Sequence, residues 1–189
     1  MDRIRLQLLT KEDITDEFVS WHTEEHTTFF SSSKRTFVKE TLLAELEDGL
    51  SDGNLFQYGI YHIEDEKLIG TVKLGPINKL HMTSDLVTLV GDRDYLRKGL
   101  ASEAIKLVNA VAFGEHKLRK LFSGMYRGNV GSVKAYLKGD WVIEGILRNQ
   151  YLDGTDEHDR ILVACFNPAM YTEPYYREGL YSFEEVYGS

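Results

Sequence analysis

The chain has 189 residues, of which 42% are hydrophobic and 28% charged, and its formal net charge is −8. This composition is that of an ordinary globular domain, and the negative charge argues against non-specific binding to nucleic acid or to an anionic membrane. No apolar stretch approaches the ~20 residues that a transmembrane helix needs. The N-terminal segment has no apolar signal region, which predicts a cytoplasmic protein. The single cysteine, Cys165, excludes an internal disulfide and is expected to be buried in the run ILVACF.

The sequence shows no signal of a domain boundary. No internal repeat and no long Gly/Ser- or Pro-rich linker divides the chain. We therefore expect one domain over residues 1–167, followed by a tail over residues 168–189. The tail holds five of the eleven tyrosines. Its aromatic residues either pack back on the domain, form the surface of a homodimer, or belong to a partly ordered end.

The first quarter of the chain predicts a strand followed by two helices. The alternating segment IRLQLL is typical of a strand, and Thr10 and Asp13 after it fit a helix N-terminus. ITDEFVSW predicts a short helix. The apolar spacing in KRTFVKETLLAELEDGL predicts an amphipathic helix that ends near Gly49.

The rest of the chain alternates strand and helix signals. Two hairpins are predicted, one from LFQYGIYHI and KLIGTVKLG, the other from WVIEGILRNQYL and DRILVACF. Between them come strand DLVTLVG, helix GLASEAIKLVNAVAF, strand KLFSGMY and helix NVGSVKAYLK. A crossover helix joins parallel strands, so DLVTLVG and KLFSGMY should run parallel in a mixed sheet covered by helices.

The segment DYLRKGLASEA combines a glycine, small residues and two cations where a strand gives way to a helix. Backbone N–H groups at a helix N-terminus are unpaired and can bind phosphate. Gly99 would let a ligand approach the backbone, Ala101 and Ser102 keep the surface open, and Arg97 and Lys98 add positive charge. The alternative is an ordinary helix start. The segment has neither the nucleoside-triphosphate P-loop pattern nor the dinucleotide-binding glycine pattern.

A second segment, NVGSVKAYLK, follows the next strand. Asn129 is a good helix cap, and Ser132 and Tyr136 come three and seven residues later, on the same helix face. These residues either form a polar line beside the parallel strands or belong to a capped amphipathic helix whose tyrosine packs.

Together the two segments resemble the GNAT superfamily of acyl-CoA-dependent N-acyltransferases, over residues 4–166. That family's pyrophosphate loop reads Q/R-x-x-G-x-G/A, and LRKGLA matches it at Gly99 and Ala101, while Leu96 replaces the usual Gln or Arg. NVGSVKAY matches the family's later Asn, small residue and Tyr, and GDW replaces its usual closing Gly-Phe. Because of these departures, a CoA-binding regulatory module without catalysis stays an alternative to an enzyme.

The resemblance implies an α/β (α+β) fold with a mixed, mostly antiparallel sheet of seven strands, a central parallel pair and about four flanking helices. It implies acetyl-CoA as co-substrate and a small-molecule amine as acceptor. Because the chain has a single cysteine and no metal-ligand spacing, no metal is expected. The wording of GTVKLGPIN, VGDRDY and EGILR is most like the ribosomal-protein N-terminal acetyltransferase branch and, within it, enzymes that acetylate amino sugars linked to nucleotides. A protein N-terminus is the alternative acceptor.

The resemblance also implies roles for individual residues. Backbone near Leu89 and Val90 would pair with the pantetheine arm, and Asn129 and Ser132 would line its other side. The pyrophosphate would be held by backbone N–H groups of Arg97, Lys98, Gly99, Leu100, Ala101 and Ser102.

For catalysis, the resemblance makes Tyr136 the proton donor to the leaving thiolate and Asp85 the base that deprotonates the amine. The alternatives are a packing tyrosine and a surface aspartate at a strand start. His81, Glu144 or a chain of waters could replace Asp85 as the base.

Acceptor binding is expected on two segments by the same resemblance. WHTEEHTTFFSSSKR supplies Trp21, His22 and Phe29, and LRNQYLDGTDEHDR supplies Arg148, which would meet a phosphate or carboxylate or else pair with nearby acids. HTEEH does not have the spacing of a zinc-protease helix, so no metal site is expected there.

Overall fold

The computed structural model describes residues 2–22 and 37–188. Its strands are β1 (Ile4–Leu8), β2 (Phe56–His62), β3 (Lys67–Asn78), β4 (Thr83–Val90), β5 (Lys120–Tyr126), β6 (Val142–Asp153) and β7 (Asp156–Phe166). The α-helices are α1 (Asp16–Ser20), α2 (Lys39–Asp52), α3 (Leu100–Gly114), α4 (Val130–Lys138) and α5 (Phe183–Tyr187). Short 3-10 helices cover Lys11–Asp13, Arg93–Tyr95 and Pro174–Arg177.

The strands form one seven-stranded sheet in the order β1-β2-β3-β4-β5-β7-β6. All neighbours run antiparallel except β4 and β5, which run parallel because α3 crosses over between them. The predicted fold class is therefore confirmed. The described residues hold five α-helices, where the sequence predicted about four, since α5 lies in the tail.

The sheet is covered on both faces, and β4 contributes to both. Leu86 joins the main core, in which β4 and Leu121 of β5 pack against Val108 of α3. Leu89 points to the opposite face and packs with Phe18 of α1 and the apolar side of α2. Successive residues of a strand point to opposite faces. Leu86 and Leu89 are three positions apart, so their side chains pack on opposite faces of the sheet. Cys165 is buried in the main core, as predicted.

The predicted end of α2 near Gly49 is wrong, because the helix continues to Asp52. Gly49 lies inside the helix, where an added Cβ would come within 2.7 Å of Leu55 Cβ. The helix stops at Gly53, whose φ of 58° is left-handed and suits a glycine C-cap. Of the two glycines, one permits close packing and the other ends the helix.

The tail lies against the domain. Leu180 N donates a hydrogen bond to Ile143 O of β6 at 2.8 Å. The Val186 side chain of α5 is only 2% exposed and belongs to the main core. Ser182 caps α5 by accepting from Glu185 N at 3.2 Å. The end of the chain therefore contributes apolar surface to the same core as the sheet.

Replacing Val186 with alanine is expected to lower the free energy of unfolding by about 2 kcal/mol, because it removes buried methyl groups and leaves a cavity. Leu180→Ala is the matched control, since Leu180 is 74% exposed. It should change stability by less than about 0.5 kcal/mol. Denaturant unfolding measures both, and equal effects of the two variants would show that α5 is not docked on the core.

Candidate active site

β4 and β5 pair over only part of their length. Their parallel register covers three pairs, which are Thr83 with Lys120, Ser84 with Leu121, and Asp85 with Phe122. Beyond Asp85, β4 stays paired with β3 and β5 stays paired with β7. The edges that β4 and β5 turn toward each other are then free of a common ladder, and such edges offer N–H and C=O groups to an extended ligand. The two strands thus open into a cleft.

Tyr136 of α4 lies at the vertex of this cleft. Its hydroxyl donates to Leu86 O at 2.8 Å, which is the first β4 carbonyl after the paired segment. The ring meets Trp141 edge-on with centroids 4.7 Å apart. Burial raises the pKa of Tyr136 to about 12, so the hydroxyl keeps its proton at neutral pH. Farther along β4, Thr88 Oγ1 is buried without a hydrogen-bond partner.

Asp85 is the last β4 residue paired with β5, and its side chain points to the sheet face opposite Tyr136. Its Oδ1 accepts from Leu86 N at 2.8 Å. Burial raises the pKa of Asp85 above its usual range, although the Leu86 N–H and the charges of Arg160 and Lys73 act in the other direction. A carboxylate with a raised pKa is a stronger base than an exposed aspartate.

The loop between β4 and α3 turns through two left-handed residues. Arg97 has φ 60° and Gly99 has φ 78°, and both are exposed. Such turns arrange successive N–H groups into an anion-binding concavity, to which the first turn of α3 adds its unpaired N–H groups. An added Cβ on Gly99 would meet only Arg3 Nη2, at 3.7 Å. At Gly99 the predicted cradle is therefore bordered only by the end of a flexible side chain.

Arg3, which directly precedes β1, contacts this loop and was not predicted from the sequence. Its Nη1 donates to Lys98 O at 3.0 Å and its Nε donates to Glu103 Oε1 at 2.8 Å. It therefore ties the segment before β1 to the loop, while its charge is paired with Glu103. No local signal marks Arg3, because its partners lie about a hundred residues away along the chain.

The start of α4 has the predicted cap. Asn129 Oδ1 accepts from Ser132 N at 3.2 Å, so the asparagine side chain is used by the helix itself. Leu89 and Val90 lie at the far end of β4, where their backbone pairs with β3 on one side and faces the cleft on the other.

The residues predicted to bind the acceptor do not all come together. Trp21 is buried, and an added Cβ on Gly91 would lie 2.1 Å from its ring. His22 lies beside Phe37, and burial lowers its pKa. Arg148 instead lines a cavity of about 470 Å³ with residues of the tail, including Tyr181 and Val186. Phe29 lies outside the described residues.

The two alternative side-chain bases lie in different surroundings. His81 is exposed before β4, and Glu144 is paired with Lys120. In residues 2–22 and 37–188, no group of three or more His, Cys, Asp and Glu side chains is placed to bind a metal. HTEEH, apart from His22, lies outside these ranges. No helix of the described part is long and apolar enough to cross a membrane.

Known proteins share the sequence and the fold of this chain. Residues 3–140 match a family model described as an acetyltransferase (GNAT) domain. The probable N-acetyltransferase YjcK of Bacillus subtilis is 32% identical over 127 residues, which cover 67% of this chain and 70% of that protein.

Two solved structures share the fold. Spermidine N-acetyltransferase from Vibrio cholerae, in complex with CoA and spermine, has a TM-score of 0.78 at 17% identity, over 87% of this chain and 96% of that one. Ribosomal-protein-S5-alanine acetyltransferase from Vibrio fischeri has a TM-score of 0.74 at 18% identity, over 88% and 94%. On the family model and the Bacillus relative, the chain belongs to the GNAT family and is an acyl-CoA-dependent N-acetyltransferase.

Proposed function

We propose that the protein acetylates a primary amine of a small molecule at the cleft between β4 and β5. The observation that carries this proposal is the parallel pairing that stops after Asp85, with the Tyr136 hydroxyl at the vertex and the raised-pKa carboxylate of Asp85 on the other face of the sheet. Acetyl-CoA supplies the thioester from which the acetyl group is transferred. The chain supplies a binding path along β4 and two groups that exchange protons.

Three observations support the fit of acetyl-CoA. The facing edges of β4 and β5 are unpaired beyond Asp85, Thr88 Oγ1 is buried without a partner, and the loop at the far end of β4 has two exposed left-handed residues, Arg97 and Gly99. The pantetheine arm would pair with backbone at Leu89 and Val90, near the start of α4. The pyrophosphate would be bound by the N–H groups of Arg97, Lys98, Gly99, Leu100, Ala101 and Ser102, with Asn129 and Ser132 across the cleft.

Two proton transfers are then assigned. Asp85 would remove a proton from the acceptor ammonium, because only the free amine has the lone pair that attacks a carbonyl carbon. Tyr136 would give its proton to the departing sulfur after turning from Leu86 O, and the second proton that the nitrogen loses as the amide forms would restore the tyrosine hydroxyl. Its pKa of about 12 keeps it protonated at neutral pH, which suits a donor and not a base.

Sequence similarity and the solved relatives suggest three classes of acceptor. The sequences of the segments GTVKLGPIN and EGILR favour an amino sugar linked to a nucleotide as the acceptor. The solved relative from Vibrio fischeri is named for a ribosomal-protein alanine, which makes a protein N-terminus the second candidate. The solved relative from Vibrio cholerae is a spermidine N-acetyltransferase, which makes a polyamine the third.

Free-thiol release from acetyl-CoA, followed with a chromogenic disulfide, tests the proposal on a panel of amino sugars, polyamines and N-terminal peptides. Thiol release that depends on one small amine, with the N-acetyl product seen by mass spectrometry, is the expected result. Release with peptides alone would overturn the small-molecule assignment. Tight CoA binding without release for any amine would favour the regulatory module.

Gly99→Glu is expected to weaken acetyl-CoA binding about 10- to 100-fold, because it places a carboxylate in the cradle and strains a left-handed position. Calorimetry measures the change in Kd. Gly154→Glu is the matched control, since Gly154 also has positive φ and an added Cβ there meets nothing within 4 Å. Unchanged binding by Gly99→Glu would remove the loop from the cofactor site.

A further inference from the structure

Arg160 of β7 is a partly buried cation that the proposed reaction does not use. Its Nε is buried without a hydrogen-bond partner. Within residues 2–22 and 37–188, its guanidinium takes part in no ion pair. A buried donor left without a hydrogen-bond partner is costly, so this N–H points to a ligand that completes it.

The position of Arg160 depends on a glycine. An added Cβ on Gly124 of β5 would lie 2.2 Å from Arg160 Nε and 2.8 Å from its Cζ. The guanidinium therefore lies directly on the β5 backbone, in space that only a glycine leaves open. The guanidinium carbon also lies 5.8 Å from the ring centroid of Tyr151, which stacks on Tyr126 at 4.0 Å.

Arg160 and Asp85 share a face of the sheet. Gly124 is two residues from Phe122, so both point the same way, and Phe122 is the register partner of Asp85. Phe122 is 40% exposed, which leaves the surface between the two charged residues open in the described structure. The charge of Arg160 also acts on Asp85, where it opposes the rise in pKa that burial causes.

Two lysines of this face are paired with glutamates. Lys73 is bound to Glu45, and Lys120 is bound to Glu144. Asp85 and Arg160 are left as a separated negative and positive group, since neither takes part in an ion pair within the described residues. An arginine that served only to neutralise Asp85 would contact it directly. The separation matches a molecule that carries an ammonium at one end and an acidic group at the other.

We infer that Arg160 binds a phosphate or carboxylate group of the acceptor while Asp85 faces its amine, so that the preferred acceptor is an amine that carries an acidic group. This inference rests on the proposed function. It excludes a polyamine as the preferred acceptor, because a second ammonium would meet the guanidinium. It also moves the expected anion contact from Arg148 to Arg160.

Matched acceptors test the inference. Thiol release is measured with two pairs of a neutral and an acidic amine: glucosamine and its phosphate monoester, and aminobutanol and γ-aminobutyrate. Spermidine is measured as the polyamine. In at least one pair, we expect kcat/KM for the acidic amine to be at least about tenfold higher than for its neutral counterpart. The pair that shows this difference identifies the preferred acidic group as a phosphate or a carboxylate. Arg160→Gln should lower kcat/KM for that acidic amine about 10- to 100-fold, and Arg160→Lys should restore part of it. KM for acetyl-CoA should not change.

Gly124→Ala acts on the same contact without removing the charge. The added methyl displaces the guanidinium, so it should raise KM for the acidic acceptor while changing little for the neutral one. Gly114→Ala, where an added Cβ meets nothing within 4 Å, and Arg5→Gln, at an exposed position of β1, are the controls. Equal kcat/KM for acidic and neutral amines, or a preference for spermidine, would overturn the inference.

Binding separates this inference from the proposed function. Calorimetry with CoA-saturated protein measures the affinity for the glucosamine phosphate ester and for γ-aminobutyrate, with the cofactor site already filled. If no amine is acetylated but Arg160→Gln still abolishes binding of the acidic amine, the proposed function fails and the anion site stands. If the wild-type protein binds neither acidic amine, the anion site is refuted whatever the activity.

Discussion

Replacing Asp85 with asparagine is expected to lower kcat by about 10²- to 10⁴-fold, the usual contribution of a general base. Stability should not fall and should rise slightly. Burial raises the folded-state pKa of Asp85, so ionisation of this group as pH rises from its unfolded pKa through its folded pKa costs stability. Asparagine cannot ionise, and its Oδ1 can still accept from Leu86 N. Thiol-release kinetics and thermal unfolding measure the two effects.

The pH dependence gives the same prediction a second readout. In the wild type, kcat should fall as pH decreases through the raised pKa of Asp85, because the protonated carboxyl cannot act as a base. Asp85→Asn should lose that acidic limb. Asp48→Asn, on the exposed side of α2, is the control. A kcat within about twofold of wild type would assign the base to His81, Glu144 or water, and single variants of the two side chains would separate these.

Tyr136→Phe is expected to lower kcat by about 10²-fold or more, with a smaller change in KM for acetyl-CoA. The hydroxyl lies at the vertex of the cleft and, with a pKa of about 12, carries its proton at neutral pH. Phenylalanine keeps the ring packed on Trp141 and removes only the proton donor. An acetyl thioester of a more acidic thiol should lose less rate, because its leaving group needs less protonation.

The same substitution also has a structural cost, which must be separated from catalysis. Without the hydroxyl, Leu86 O loses its partner, and a buried unpaired carbonyl costs about 1–3 kcal/mol of stability. Trp141→Phe perturbs the same packing but leaves the hydroxyl in place. It should lower stability without a large loss of kcat. If both variants lower kcat equally, or if Tyr136→Phe lowers only stability, Tyr136 is a packing residue.

Much of the fold could be predicted because its signals are local. Alternation of apolar residues marks a strand face within a few positions, and Asn129 with Ser132 forms a cap within one helical turn. The pattern around Gly99 likewise depends on the conformation of a few consecutive residues, and the structure has the left-handed turn there. The end of α2 was misplaced because two nearby glycines look alike in sequence, although only Gly53 takes the left-handed conformation.

By itself, the sequence determined the order of strands and helices, the parallel pair and the loop before α3. Only the tertiary structure decided which distant side chains share the cleft. It brought Arg3 to the loop and Arg160 onto Gly124, while Arg148, on the neighbouring strand, faces a cavity beside the tail. The physical reason is that strand periodicity determines which residues share a face, whereas strand register and the docking of distant segments determine which residues meet on it.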